Sequence, residues 1–145
     1  MTEKYICQIN KEQSFEIKLQ EGVFHPTGTS DEIIKAVSTN ISSPGKVLDL
    51  GCGSGVVGFA LHILGKSEGT LYASDLSKDA VLLIEENAKN LGIPIVSRSG
   101  SIFEPWESES FDYIVDDISG IAEQVAEISP WFSKTSCRSG EDGTD

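Results

Sequence analysis

Basic residues are scarce in this sequence. Eleven Lys and Arg stand against 23 Asp and Glu, giving a net charge of −12 over 145 residues. Such a surface repels a phosphate backbone unless a basic face is segregated, and none is visible along the chain. Nucleic acid is therefore not expected as the main partner. Long apolar runs are also missing, since none approaches the ~20 residues that span a bilayer. The opening MTEKYICQIN is polar and has no signal-peptide core. Cysteine is limited to Cys7, Cys52 and Cys137, odd in number and widely spaced. That pattern gives neither a disulfide framework nor a metal-ligand spacing, so a reducing, cytoplasmic setting without a metal is expected.

What remains suits a globular domain. Hydrophobic residues make up 39% and charged residues 23% of the chain, which excludes a disordered tail. The length fits one domain of roughly 100–200 residues. Between Ser99 and Ser133 there is no Lys or Arg but eight acids. Such a run reads either as a solvated face or as a pocket rim suited to a cationic or neutral ligand.

Tyr5, Cys7 and Ile9 alternate with polar residues, as do Phe15, Ile17 and Leu19 beyond Lys11-Glu12-Gln13, which predicts a β-hairpin. Residues 22–28, with Gly22, Pro26 and Gly28, read as a loop. Thr29 and Glu32 have capping-box spacing ahead of Ile33, Ile34, Val37 and Ile41, predicting a helix that Ser42-Ser43-Pro44-Gly45 stops. Strands are expected at 47–50, 70–74, 95–98 and 111–115. Helices are expected at 56–64, ended by Gly65, and from an N-cap at Ser77 to Leu91, ended by Gly92. Ile121, Ala122, Val125 and Ala126 suggest a last helix stopped near Pro130. Repeated β-α-β units with short connections imply an α/β, Rossmann-like, doubly wound and mainly parallel sheet. The closing residues 133–145 read as a polar tail.

The chemistry concentrates at Val47-Leu48-Asp49-Leu50-Gly51-Cys52-Gly53-Ser54-Gly55. A strand, a tight glycine turn and a helix let the backbone approach a ligand closely, with helix amides facing it. Gly53, Gly55 and Gly58 form G-x-G-x-x-G, and Asp75 lies 22 residues beyond Gly53, as in a dinucleotide site. Asp49 argues otherwise. A carboxylate at the strand end repels a pyrophosphate, whereas S-adenosylmethionine carries an ammonium and a sulfonium and no phosphate. Asp75, at the end of the next strand, has two oxygens to offer two ribose hydroxyls.

Residues 47–55 resemble motif I of the class I S-adenosylmethionine-dependent methyltransferases, and Leu71-Tyr72-Ala73-Ser74-Asp75-Leu76-Ser77 resembles their second strand with its ribose acid. The likeness runs from about Val23 to about Ile121 and is nearest the HemK-type protein-glutamine methyltransferases and related small-domain enzymes. Their loop before the first helix resembles Phe24-His25-Pro26-Thr27, and their G-D-[LW]-F segment resembles Gly100-Ser101-Ile102-Phe103. The resemblance implies a cofactor site of Phe24, Thr27, Asp49, Gly51, Gly53, Gly55, Asp75, Leu76, Ser101, Ile102 and Asp117. Within it Asp75 holds the ribose and Ile102 packs on the adenine. It further implies a hairpin and cofactor-covering loop at 1–28 and a cofactor-binding domain at 29–132. Where the family carries an acid near the adenine, this chain has Ser101. Where it carries N-P-P-Y, this chain has Asp117-Ile118-Ser119-Gly120, so the glutamine-amide substrate class does not transfer.

Asp117 is the expected substrate-orienting group, with Asp116 beside it as a second candidate for catalysis; solvated strand-end acids are the plainer reading of the pair. The acceptor expected is an N or O nucleophile of a protein or small molecule. An NAD(P)-dependent oxidoreductase and a non-catalytic S-adenosylmethionine-binding module are the alternatives. His25, in the covering loop, is a weaker candidate for ligand contact. His62 and Cys52 read as structural. The family's full sheet resembles seven strands in the order 3-2-1-4-5-7-6. Four are legible here, so the chain is expected to lack the last three and to leave the fourth strand as an open edge.

Overall fold

The computed structural model describes residues 3–117 and 122–128. The tail at 133–145, with Cys137, and the segment Ile118-Ser119-Gly120-Ile121 lie outside those residues. Strands β1 (Lys4–Gln8) and β2 (Ser14–Lys18) pair antiparallel, with Cys7 opposite Phe15. Helix α1 spans Gly28–Asn40, and strand β3 (Val47–Leu50) leads through the glycine turn into α2 (Val56–Ile63). Strand β4 (Leu71–Asp75), helix α3 (Lys78–Leu91) and strand β5 (Ile95–Ser99) follow. A short 3-10 turn at Glu104–Trp106 precedes β6 (Tyr113–Asp116), and α4 covers Glu123–Ile128. The main sheet is parallel throughout, in the order β5-β4-β3-β6. With β3 as first strand this is 3-2-1-4, and among the described strands β6 lies at one edge.

Strand alternation sorts side chains to two faces. Val47, Leu71, Ala73 and Val115 join Phe59, Leu61 and Ile84 in the principal core on the helical face. The hairpin packs into that same core through Cys7, Phe15, Ile17 and Leu19, and the Phe15 ring meets Phe59 edge-on at 6.3 Å. Leu48 and Leu50 point the other way, where Trp106 covers them with Tyr72, Val96 and Phe111 packed alongside. There the Trp106 indole donates to Ser74 Oγ at 2.9 Å. Lys46 lies 4.5 Å from the Tyr72 ring centre and Arg98 lies 4.4 Å from that of Trp106. No helix among the described residues is long and apolar enough to cross a membrane.

Two local expectations need correction. Helix α1 begins before Thr29, because Thr27 is its N-cap and Ser30, not Glu32, completes the capping box. Ser30 is buried and reaches the end of β6, whereas Glu32 faces solvent, so tertiary packing selects the earlier register. Strand β6 also begins at Tyr113 rather than Phe111. Phe111 joins the aromatic cluster over Tyr72, and the Asp112 carboxylate accepts the Lys46 amide at 2.7 Å, which occupies both residues before the ladder starts.

Candidate functional site

The turn between β3 and α2 holds Gly51, Gly53 and Gly55 at φ of 67°, 50° and 90°, a left-handed region that glycine enters without steric cost. Gly55 is also tightly enclosed, since a side chain there would start 2.5 Å from the Phe59 ring and 2.6 Å from Ile84. Gly53 faces the loop before α1, where a Cβ would lie 3.8 Å from the Phe24 carbonyl oxygen. The predicted covering loop and the glycine turn are therefore adjacent. Phe24 is half-buried, while His25 and Thr27 are exposed.

Asp75 closes the turn from the side of β4. Its Oδ2 accepts the Gly53 amide at 2.9 Å and its Oδ1 accepts the Ser77 amide at 2.9 Å. Both oxygens are thus aimed by the backbone, and each keeps a lone pair for a further donor. Beyond it, Leu76 is 73% exposed and Ile102 62% exposed, leaving two apolar side chains uncovered in the segments that follow β4 and β5. Ile102 has φ of 45°, a costly conformation for a β-branched residue. The turn is tied on both sides, because the Gly100 amide donates to the Asp75 carbonyl at 3.1 Å and the Ser101 amide to the Glu104 carboxylate at 3.2 Å. Glu104 at this place was missed in the sequence, and only its three-residue offset from Ser101 signals it.

Asp49 is buried, and its Oδ2 accepts the Gly58 amide at 2.9 Å inside the first turns of α2. Burial, chiefly, and the charges of Asp75, Asp117 and Asp116 together push its carboxyl up to about 8, against the lowering effect of the Gly58 bond. It is neither a solvated strand-end acid nor an open ligand contact; it faces the helix. Asp116 and Asp117 stand at the end of β6. Both carboxyls are raised above the usual range by desolvation, Asp116 further by Asp117, while the Ser30 hydroxyl donates to Asp117 at 3.3 Å and lowers it. Asp116 Oδ1 lies 3.7 Å from where a Gly51 side chain would begin. Four carboxyl groups thus surround one glycine turn, and among the described residues none of them is paired with Lys or Arg.

Cys52 is buried in the turn, with its thiol raised by desolvation. His62 lies at the far end of α2 with its pKa lowered by burial, away from the glycines. No cluster of three His, Cys, Asp or Glu among the described residues is arranged to hold a metal.

The sequence profile of a methyltransferase domain matches residues 41–130. The chain belongs to the methyltransferase-domain family. This methyltransferase domain is 32% identical over 102 residues to the release factor glutamine methyltransferase of Streptococcus pneumoniae, covering 70% of the chain and 36% of that protein. It is 34% identical over 118 residues to the ribosomal protein L11 methyltransferase of Staphylococcus haemolyticus, covering 77% of the chain and 37% of the relative. The chain therefore spans little more than a third of the length of these curated relatives. Its fold superposes on a T. thermophilus 16S rRNA N2 G1207 methyltransferase with a TM-score of 0.70 at 19% identity, covering 80% of this chain and 32% of that one. The methyltransferase match begins at the end of α1, so the hairpin and the Phe24–Thr27 loop precede it.

Proposed function

We propose that this domain binds S-adenosyl-L-methionine at the glycine turn and transfers its methyl group to an N or O nucleophile of a protein or small molecule. The observation that carries the reading is the gathering of Asp75, Asp116 and Asp117 about that turn without a paired cation among the described residues, while the buried, proton-bearing Asp49 braces the turn from the helix side. Carboxylates there oppose the pyrophosphate of a dinucleotide and favour a ligand bearing an ammonium and a sulfonium. The cofactor would supply a methyl carbon already activated by positive sulfur.

The residues present fit that group. Asp75 would accept the ribose hydroxyls on the lone pairs left by Gly53 and Ser77. Leu76, Ser101 and Ile102 would hold the base, and Phe24 and Thr27 would contribute from the covering loop. Gly51, Gly53 and Gly55 keep side chains out of the way. Asp117 orients the acceptor, and Asp116 stands beside it. Because burial raises both carboxyls, either holds a proton more firmly than an ordinary carboxylate would, which suits an acceptor that must lose one. The larger part of the acceleration comes from alignment, worth up to roughly 7–11 kcal/mol in favourable cases.

The names of the two curated relatives point to protein acceptors. A net charge of −12 supports that class over nucleic acid. Transfer of labelled methyl groups to a panel of proteins and small molecules tests the reading. Labelled product that Asp117→Ala reduces at least tenfold is the expected result. Cofactor binding without label on any acceptor would favour the non-catalytic binding module instead.

A further inference from the structure

Asn87 is 1% exposed on the inner face of α3. A buried amide is costly unless it is bonded, and this one is bonded at both ends. Its Nδ2 donates to the Ser54 carbonyl at 3.2 Å and to the Lys18 carbonyl at 3.1 Å, while its Oδ1 accepts the Lys18 amide at 2.8 Å. Two carbonyls require donors and one amide requires an acceptor, so the partners fix the orientation of the side chain. Lys18 ends β2, and its main chain finds on α3 the pairing that a third strand would have given.

Ser54 belongs to the glycine turn. The peptide between Ser54 and Gly55 is held at its other end too, because the Gly55 amide donates to the Cys52 carbonyl at 2.8 Å. One helical turn before Asn87, Ile84 occupies the space beside Gly55. Helix α3 therefore grips the turn twice, once by packing and once by hydrogen bonding. The turn needs such a grip. Glycines enter several backbone conformations at little cost, so Gly53 and Gly55 do not by themselves choose which way the intervening peptide points. A rotated Ser54–Gly55 peptide would shift the Gly53 segment that Asp75 and the Phe24 carbonyl flank, and would leave the buried Ser54 carbonyl unpaired.

We propose that Asn87 is a positioning residue that sets the conformation of the glycine turn, using the main chain of Lys18 as its second anchor. The proposal rests on the reading of that turn as the cofactor cradle. The test compares Asn87→Ala with Ile17→Val, which loosens hairpin packing in the core but keeps all three Asn87 bonds. S-adenosylhomocysteine affinity and amide hydrogen exchange without ligand are measured at a temperature where both variants are folded. Asn87→Ala should weaken binding at least tenfold and speed exchange at Gly55 at least tenfold relative to the amides of β4. Ile17→Val should stay within twofold on both. Affinity within twofold of wild type for Asn87→Ala, with Gly55 exchange tracking β4, overturns the proposal; equal losses in Ile17→Val do the same. Asn87→Asp keeps the shape and the Lys18 amide bond but can serve at most one of the two carbonyls, through a single O–H when protonated, and it is read by the same criteria if the alanine variant does not fold. If the wild-type chain binds no S-adenosylhomocysteine, the cofactor reading fails, and Gly55 exchange alone decides for or against Asn87.

Discussion

The Gly58 amide donates to Asp49 Oδ2 at 2.9 Å, joining the end of the first parallel strand to the helix that follows it. A Cβ on Gly58 would lie 2.7 Å from that oxygen and 3.0 Å from Leu71. Glycine inside a helix usually costs about 1 kcal/mol relative to alanine, so Gly→Ala there is normally stabilising. Overpacking costs roughly 1–3 kcal/mol and wins at this site, since the oxygen is buried and cannot swing away. Gly58→Ala should therefore lower the melting temperature, and a higher one would show that Asp49 is free to move.

The pH dependence of stability follows from Asp49. Its carboxyl sits at about 8 in the fold against an ordinary 3.8. Between those values the folded state keeps a proton that the unfolded chain releases, so stability falls as pH rises. The contribution is fully present below the unfolded value and is lost as pH climbs through the folded one. Asp49→Asn cannot ionise and retains an acceptor for the Gly58 amide. Its melting temperature relative to wild type should be higher at pH 9 than at pH 5. An unchanged difference between the two pH values would mean that Asp49 is ionised in the fold.

Asp75 gives a prediction on binding. Asp75→Ala removes the proposed ribose acceptor and unpairs the Gly53 and Ser77 amides, so affinity for S-adenosylhomocysteine should fall at least tenfold. Asp75→Asn keeps one acceptor and should fall between. Calorimetry reads both, and unchanged affinity in Asp75→Ala would remove Asp75 from the site.

Ile102 separates stability from binding. Its φ of 45° stores about 1–3 kcal/mol, and with the side chain 62% exposed little packing is lost on its removal. Ile102→Gly relieves the strain, partly offset by about 0.5–1 kcal/mol of glycine entropy. The melting temperature should rise slightly while cofactor affinity drops, because an apolar wall disappears. A lower melting temperature would show that Ile102 gains more from packing than its backbone strain costs, and unchanged affinity would remove it from the site.

Much of this was legible in the residues. The alternation of Tyr5, Cys7, Phe15 and Ile17, the strand at 47–50 and the caps Ser77 and Gly92 all follow local rules, and the structure keeps them. Features that depend on distant partners were not legible. Thr27 rather than Thr29 caps α1 because Ser30 meets Asp117, 87 residues away. Asp49 turns toward the helical face because its strand neighbours Leu48 and Leu50 are claimed by Trp106 on the other. Trp106 does so from within a segment that reads as loop, through a bond to Ser74 that no local pattern announces. The bonds of Asn87 to Lys18 and Ser54 belong to the same class.

The central claim is that the acidic glycine turn accepts a phosphate-free, sulfur-bearing nucleoside rather than a dinucleotide. Calorimetric titration of this chain with S-adenosylhomocysteine and, separately, with NAD tests it most directly. The account predicts saturable binding of S-adenosylhomocysteine and none of NAD. Tight binding of NAD with no binding of S-adenosylhomocysteine would contradict it.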